Sequence, residues 1–195
     1  MNQPPDFSYR VCETELERLA TYRLRYEVFC AETQWIALHH HPDGLERDGY
    51  DQFAVPIIAV SPHGRVVGSC RLIFTEHCRL PIESFLDFSR FSVRRETCFE
   101  ASRFAISPGF RGPHSRAIFR GLFEMGRAVA MRRKASKLCA VADRRFFKML
   151  RRLSLSFVHV GAPAWHLGSE SIPVIIDLEA TAPNSLTPSN STVSP

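Results

Sequence analysis

The order of apolar patterns along this chain (helix, hairpin, strand, helix, strand, helix, strand) predicts an α/β fold with a mixed sheet. Two observations carry that expectation. Helical and strand-like periods alternate over most of the sequence, and the β-type runs at 53–60 and 65–74 are separated by Ser61-Pro62-His63-Gly64, a hairpin signal that fixes an antiparallel pair. At 195 residues one domain is expected, here residues 1–179, followed by the low-complexity stretch 180–195, which reads as a disordered tail.

The elements follow in order. Residues 13–31 place Leu16, Leu19, Ala20, Leu24, Val28 and Ala31 at helical spacing behind acidic residues, as an amphipathic helix requires. Residues 33–52 hold Trp35, three histidines, Pro42, two glycines and four acids, and read as a long functional loop. The hairpin comes next, and residues 76–95 fit no single pattern. A strand at 98–107 ends in a turn built from Pro108, Gly109, Gly112 and Pro113, which opens a helix over about 115–134. A strand at 138–142, an Arg-rich helix at 143–152 and strands near 155–160 and 172–178 complete the core.

Composition excludes several classes. Hydrophobic residues make up 45% of the chain, which rules out wholesale disorder. No run approaches the roughly 18 to 20 apolar residues that span a bilayer, and MNQPPDFSYR offers no signal-peptide segment, so a cytoplasmic protein with no transmembrane segment is expected. The six cysteines form no C-x-x-C pair and read as reduced core thiols. His39-His40-His41 with Asp43 lacks convergent ligand spacing and reads as a solvated loop, so no metal is expected.

Charge is concentrated. Residues 1–102 carry 11 basic and 15 acidic residues, residues 103–152 carry 14 and 2, and the remainder carries only 3 acids. Such a block suits an acidic partner steered by electrostatics, a nucleic-acid backbone, or a solvated helix face. No helix-turn-helix, zinc-finger or RNA-recognition signature accompanies it, so no specific nucleic acid is expected.

Charges inside apolar strands form a second group: Arg71 in one, Glu100 and Arg103 in another, with Asp48 and Asp51 just before the hairpin. Buried charges must pair, so these residues form either a structural ion network or a polar catalytic cleft. The turn AISPGFRGPHSRAIFRGL places Gly109, Arg111 and Gly112 at a helix start, where an anionic group is favoured. It resembles the pyrophosphate loop of the Gcn5-related N-acetyltransferases (GNAT), with Ile106, Pro108, Arg111 and Gly112 fitting and Pro113 and His114 standing where glycine is usual.

Arg25-x-x-x-Phe29, Trp35, Glu46-x-Asp48-x-x-Asp51, Gly68-x-x-Arg71-Leu72 and Glu100-x-Ser102-Arg103-Phe104 together resemble the acyl-homoserine-lactone (autoinducer) synthases over residues 25–104. Leu80-Pro81-Ile82-Glu83 departs from that family's Pro-x-Met-Leu segment. Together with DGLERDGYD it looks like a neighbouring branch, the exosortase-associated acyltransferases and long-chain N-acyl amino acid synthases.

The resemblance implies a GNAT-like three-layer fold whose mixed, largely antiparallel twisted sheet is flanked by helices. It implies transfer of a fatty acyl group from the phosphopantetheine thioester of acyl carrier protein to the α-amine of S-adenosylmethionine, or of a free amino acid, with no permanently bound cofactor. A neutral amine is needed for attack, and an α-amine has a pKa of about 8, so a carboxylate base would help. Glu100 is the first candidate, with Asp48 and Asp51 holding the substrate's positive charge. Arg71 and Arg103 would orient the acids or bind a substrate carboxylate. Arg25, Phe29 and Trp35 would cover the acceptor pocket, and Phe104, Arg111 and Gly112 would meet the acyl-pantetheine arm. Phe74, Phe119, Leu122 and Phe123 are further candidates for the tunnel wall. Arg132, Arg133, Lys134, Arg144 and Arg145 would dock the carrier protein. A contrasting reading is a non-catalytic GNAT-like module that binds nucleic acid or protein.

Overall fold

The structure is a computed structural model that describes residues 6–84, 88, 93–152, 155–166 and 168–180. The tail expected to be disordered, apart from Ala180, and parts of the segment 76–95 lie outside the described residues.

Strand β1 (Ser8–Val11) leads into helix α1 (Glu15–Tyr26). Thr14 caps the helix in a reciprocal box with Glu17, and Glu15 and Glu17 place negative charge on its first turn. The helix then widens into a π-helical turn, Glu27–Glu32. That extra residue per turn rotates the buried stripe, which is why Ala31 ends on the solvent side although the α-period puts it with Leu24 and Val28. Leu16, in the first turn, is also exposed, at 79%.

The hairpin forms as expected, from β2 (Ala54–Val60) and β3 (Val66–Phe74). Strand β4 (Cys98–Ile106) pairs antiparallel with β3, and α2 (Ser115–Arg132) returns the chain to β5 (Lys137–Asp143), which runs parallel to β4. Helix α3 (Arg144–Arg152) and strands β6 (Val158–His159), β7 (Ala164–His166) and β8 (Ser169–Asp177) follow. The sheet order is β1-β2-β3-β4-β5-β8-β6, with β7 also paired to β8.

Alternation along β3 divides the molecule into layers. Cys70, Leu72 and Phe74 join Ile118, Phe119, Leu122 and Phe123 of α2 in the main core, which also takes Leu150 of α3. Arg71 points the other way, toward the loop that follows α1. All six cysteines are free thiols. Among the described residues no helix is long and apolar enough to cross a membrane.

Two irregularities of β4 create the site. The register with β3 slips between Ser69↔Ala105 and Arg71↔Ser102, so β4 bulges there, and Arg103 sits in the left-handed region at φ 55°. The bulge lets the successive residues Ser102 and Arg103 both reach the loop face while Phe104 returns to the helix face. The parallel ladder also stops early. β4 meets β5 only from Cys98↔Lys137 to Glu100↔Cys139; beyond Glu100, among the described residues, the two strands part.

Candidate active site

A cavity of about 470 Å³ fills the gap between the parted strands. Its walls come from both faces of the sheet: Phe29, Trp35, Asp48 and Tyr50 from the loop layer, Phe119, Phe146 and Met149 from the helix layer, and Arg71, Glu100, Ser102, Arg103 and Phe104 from the strands between. One end is polar and the other aromatic. Phe104 stacks on Phe119 at 4.9 Å, and Phe146 closes on both at 5.5 and 5.6 Å. Phe74, Leu122 and Phe123, read as further tunnel walls, are buried in the main core and do not line it.

The polar end is a closed ion network. Arg25 is 2% exposed. It grips both oxygens of Asp51 at 2.7 and 3.0 Å and also bonds Glu46, which is 1% exposed. Arg103 joins Glu46 and Asp48 at 3.0 Å each, and Arg71 reaches Asp48 at 2.6 Å and Ser102 at 3.3 Å. Three arginines thus meet three carboxylates, which offsets the cost of removing each ion from water. Burial alone would raise Asp48 and Asp51, but the adjacent guanidinium groups outweigh it and hold both below the usual carboxylate range. Both therefore stay ionised at neutral pH and committed to arginine.

Glu100 stands apart. It is 3% exposed and lines the cavity, and one oxygen accepts the Ile82 N–H at 2.6 Å. Burial pushes its carboxyl up to about 7, against the lowering pull of that N–H and of Arg71 and Arg103. The network thus holds Asp48 and Asp51 as anions and leaves Glu100 near the midpoint of its titration at neutral pH.

The remaining candidates divide by position. Phe29 and Trp35 stack at 6.1 Å and cover the polar end, with the Arg103 guanidinium 6.0 Å from the Phe29 ring. Arg25 lies behind them and anchors the acids without lining the cavity. Arg111 lines the mouth, and Gly112 is exposed beside it. Arg145 borders the cavity and Arg144 is exposed next to it, both at the start of α3. Arg132, Arg133 and Lys134 sit at the opposite end of α2, about 27 Å from its first turn for 18 residues at 1.5 Å each. Arg133 there lies over the Phe74 ring at 4.6 Å.

Some participants carried no local signal. Glu46 appeared in the sequence only as part of a spacing, yet it is the carboxylate shared by Arg25 and Arg103. His166, Ser169 and Ser171 come from the β7–β8 hairpin and line the same cavity. Burial, with Arg103 next in effect, holds the His166 imidazole below its usual pKa. The hairpin turn sits against Trp35: a Cβ on Gly168 would lie 2.6 Å from Trp35 Cδ1, and φ there is 75°, so only glycine fits this approach. Among the described residues, no group of three or more His, Cys, Asp or Glu side chains converges to hold a metal.

A model of the acetyltransferase (GNAT) domain matches residues 24–121, half of the chain. The chain belongs to the GNAT acetyltransferase family. No curated protein matches the sequence. Among solved structures, the AHL synthase LasI superposes on this GNAT chain with a TM-score of 0.74 at 19% identity, covering 94% of this chain and 95% of that one. BjaI, a CoA-dependent acyl-homoserine lactone synthase solved with SAM and isopentyl-CoA, gives 0.68 at 20%, covering 86% and 77%. FeeM, an N-acyl amino acid synthase from uncultured soil microbes, gives 0.67 at 17%, covering 90% and 92%. At these identities the likeness is one of fold, and it agrees with the resemblance carried by residues 25–104. By family this GNAT protein is an acyltransferase.

Proposed function

We propose that the protein is an N-acyltransferase that moves a fatty acyl group from the phosphopantetheine thioester of acyl carrier protein to the α-amine of S-adenosylmethionine, giving an N-acyl-homoserine lactone. The observation that carries this reading is Glu100, a buried carboxyl poised near 7 in the cavity where β4 leaves β5.

An α-amine with a pKa of about 8 surrenders its proton readily to a base of similar affinity. Glu100 takes that proton, and the amine attacks the thioester carbon. The tetrahedral oxyanion is met by backbone N–H groups on the edge of β4 that β5 has vacated. Collapse breaks the C–S bond, protonated Glu100 returns the proton to the departing thiolate, and the regenerated carboxylate takes the second proton from the amide nitrogen and passes it to solvent. The acceptor's carboxylate then displaces methylthioadenosine to close the lactone. In this scheme Asp48 and Asp51 act through the arginines they hold. Arg103 and Arg71 border the cavity to receive the acceptor's carboxylate, while Phe29 and Trp35 wall its polar end. The acyl chain enters the aromatic end at Phe104.

Docking of an acidic carrier fits the α3 side, where Arg144, Arg145, Lys148, Arg151 and Arg152 are exposed. Arg132, Arg133 and Lys134, the other residues expected to dock the carrier, lie at the end of α2 away from the cavity.

One observation favours a second reading, transfer to a free amino acid. The segment 80–83, where the chain departs from the autoinducer synthases, supplies the N–H that holds Glu100, and its Pro81 lines the cavity. Incubating the protein with an acylated carrier and either S-adenosylmethionine or a mixture of amino acids, with mass spectrometry of the products, separates the two. Lactones support the first reading and acyl amino acids the second. Hydrolysis alone, with no amide formed, removes both.

A further inference from the structure

The mouth of the cavity is bridged by an ion pair that the acyl-transfer chemistry does not use. Arg111, in the turn between β4 and α2, uses all three guanidinium nitrogens in bonds within the protein. Its Nε donates to the Ile106 carbonyl at 3.0 Å, and its two terminal nitrogens take the two carboxylate oxygens of Glu32, one at 2.7 Å. Glu32 is the last residue of the π-helical turn after α1, and Thr33 locks that turn by donating its hydroxyl to the Val28 carbonyl at 2.9 Å. The pair therefore ties the wall that carries Phe29 and Trp35 to the wall that carries Phe119, across an opening that Arg145 also borders. Arg111, first, and Arg145 in addition draw the Glu32 carboxyl below its usual range, so it is fully ionised at neutral pH.

A carboxylate bound through both oxygens to an arginine fork imitates a phosphate, which binds the same fork in the same way. At 34% and 38% exposure the two side chains sit where water and salt weaken their attraction, so an incoming anion can replace one of them. We propose that Glu32 is an internal stand-in for the phosphate of the donor's pantetheine arm, and that the donor seats by taking Arg111 from it. The mouth then selects donors by charge: a phosphorylated arm opens the bridge and an uncharged arm does not. This rests on the reading above, in which the donor is a phosphopantetheine thioester.

Calorimetric titration with pantetheine 4′-phosphate and with pantetheine, neither acylated, tests the exchange without requiring catalysis. Glu32→Gln should bind the phosphorylated arm at least fivefold more tightly than wild type and bind pantetheine within twofold of it, and Glu32→Ala should repeat the pattern. Arg111→Gln should remove the preference for the phosphorylated arm, and adding Glu32→Gln to it should change nothing further. An equal gain for both ligands would make Glu32 a steric plug, and weaker binding of both would make it a prop for the mouth; either overturns the proposal, as does no change. Failure to form any amide in the product assay would remove the acyl-transfer reading and leave this binding result standing on its own.

Discussion

Replacing Glu100 with glutamine separates chemistry from folding, because the two readouts move in opposite directions. Glutamine keeps the shape and an oxygen for the Ile82 N–H but cannot take a proton. Burial holds the Glu100 carboxyl at about 7 in place of its ordinary 4.5. The folded chain therefore grips this proton more tightly than the unfolded chain does. The stability contributed by that grip is complete below about pH 4.5, declines as pH rises, and is gone above about pH 7. The span of ~2.5 units corresponds to ~3 kcal/mol at about 1.4 kcal/mol per unit. Glu100→Gln does not titrate, so its stability relative to wild type should improve by up to ~3 kcal/mol between about pH 4.5 and pH 8, read from urea melts at the two ends. The same substitution should lower kcat/KM about 10²- to 10³-fold, the usual weight of general-base catalysis, and abolish the rise in rate near pH 7. Full activity in the variant would remove Glu100 as the base. A stability difference that stays constant across this range would show that the carboxyl does not titrate there, and the burial argument would fail.

Arg25→Met strips the guanidinium from Glu46 and Asp51, which are 1% and 7% exposed, and should cost about 3–5 kcal/mol in a denaturant melt; a loss under about 1 would mean the acids find other partners. Charge reversal at Arg144 and Lys148, exposed and outside the cavity lining, should raise the apparent KM for acyl carrier protein about tenfold at low salt, with far less effect on a small acyl thioester. The same reversal at Arg132 and Arg133 should do less, and the opposite ranking would move the docking face to the other end of α2. Gly121→Ala puts a Cβ 2.1 Å from the Tyr9 ring and should destabilise the protein by about 1–3 kcal/mol in thermal melts, with Tyr9→Leu recovering part of the loss.

Long periodic segments were legible in the sequence because period alone determines them: α1, the β2–β3 hairpin, β4, α2, β5, α3 and β8 all fall within a few residues of their expected places. β1 and β7 were not, since four and three residues are too short to display alternation. The parting of β4 from β5 was equally hidden, because it depends on which residues fail to pair rather than on any residue's own preference. Within the site, charges stranded in apolar runs pointed to Arg71, Glu100 and Arg103, since burial forces such groups to find one another. Which acid goes with which arginine is set by a loop that folds back on α1, and sequence distance gives no guide: Arg25 and Asp51 are 26 positions apart. The layout of the basic block was hidden in a related way. Fourteen cations fall within fifty residues of sequence, and the 18-residue helix α2 sets those after its last turn apart from those at its start.

The gap in the sheet has a further consequence. Past Glu100, among the described residues, the edges of β4 and β5 no longer pair with each other, and the Ile106 carbonyl on that stretch turns to the Arg111 side chain instead. If the pantetheine arm of the proposed donor lies along that edge, its amide groups would pair with β4 as a missing strand would. Substrate is then a temporary piece of secondary structure, and filling the pocket amounts to finishing the fold. Slowed amide hydrogen exchange along residues 101–106 would be the sign that a ligand had done so.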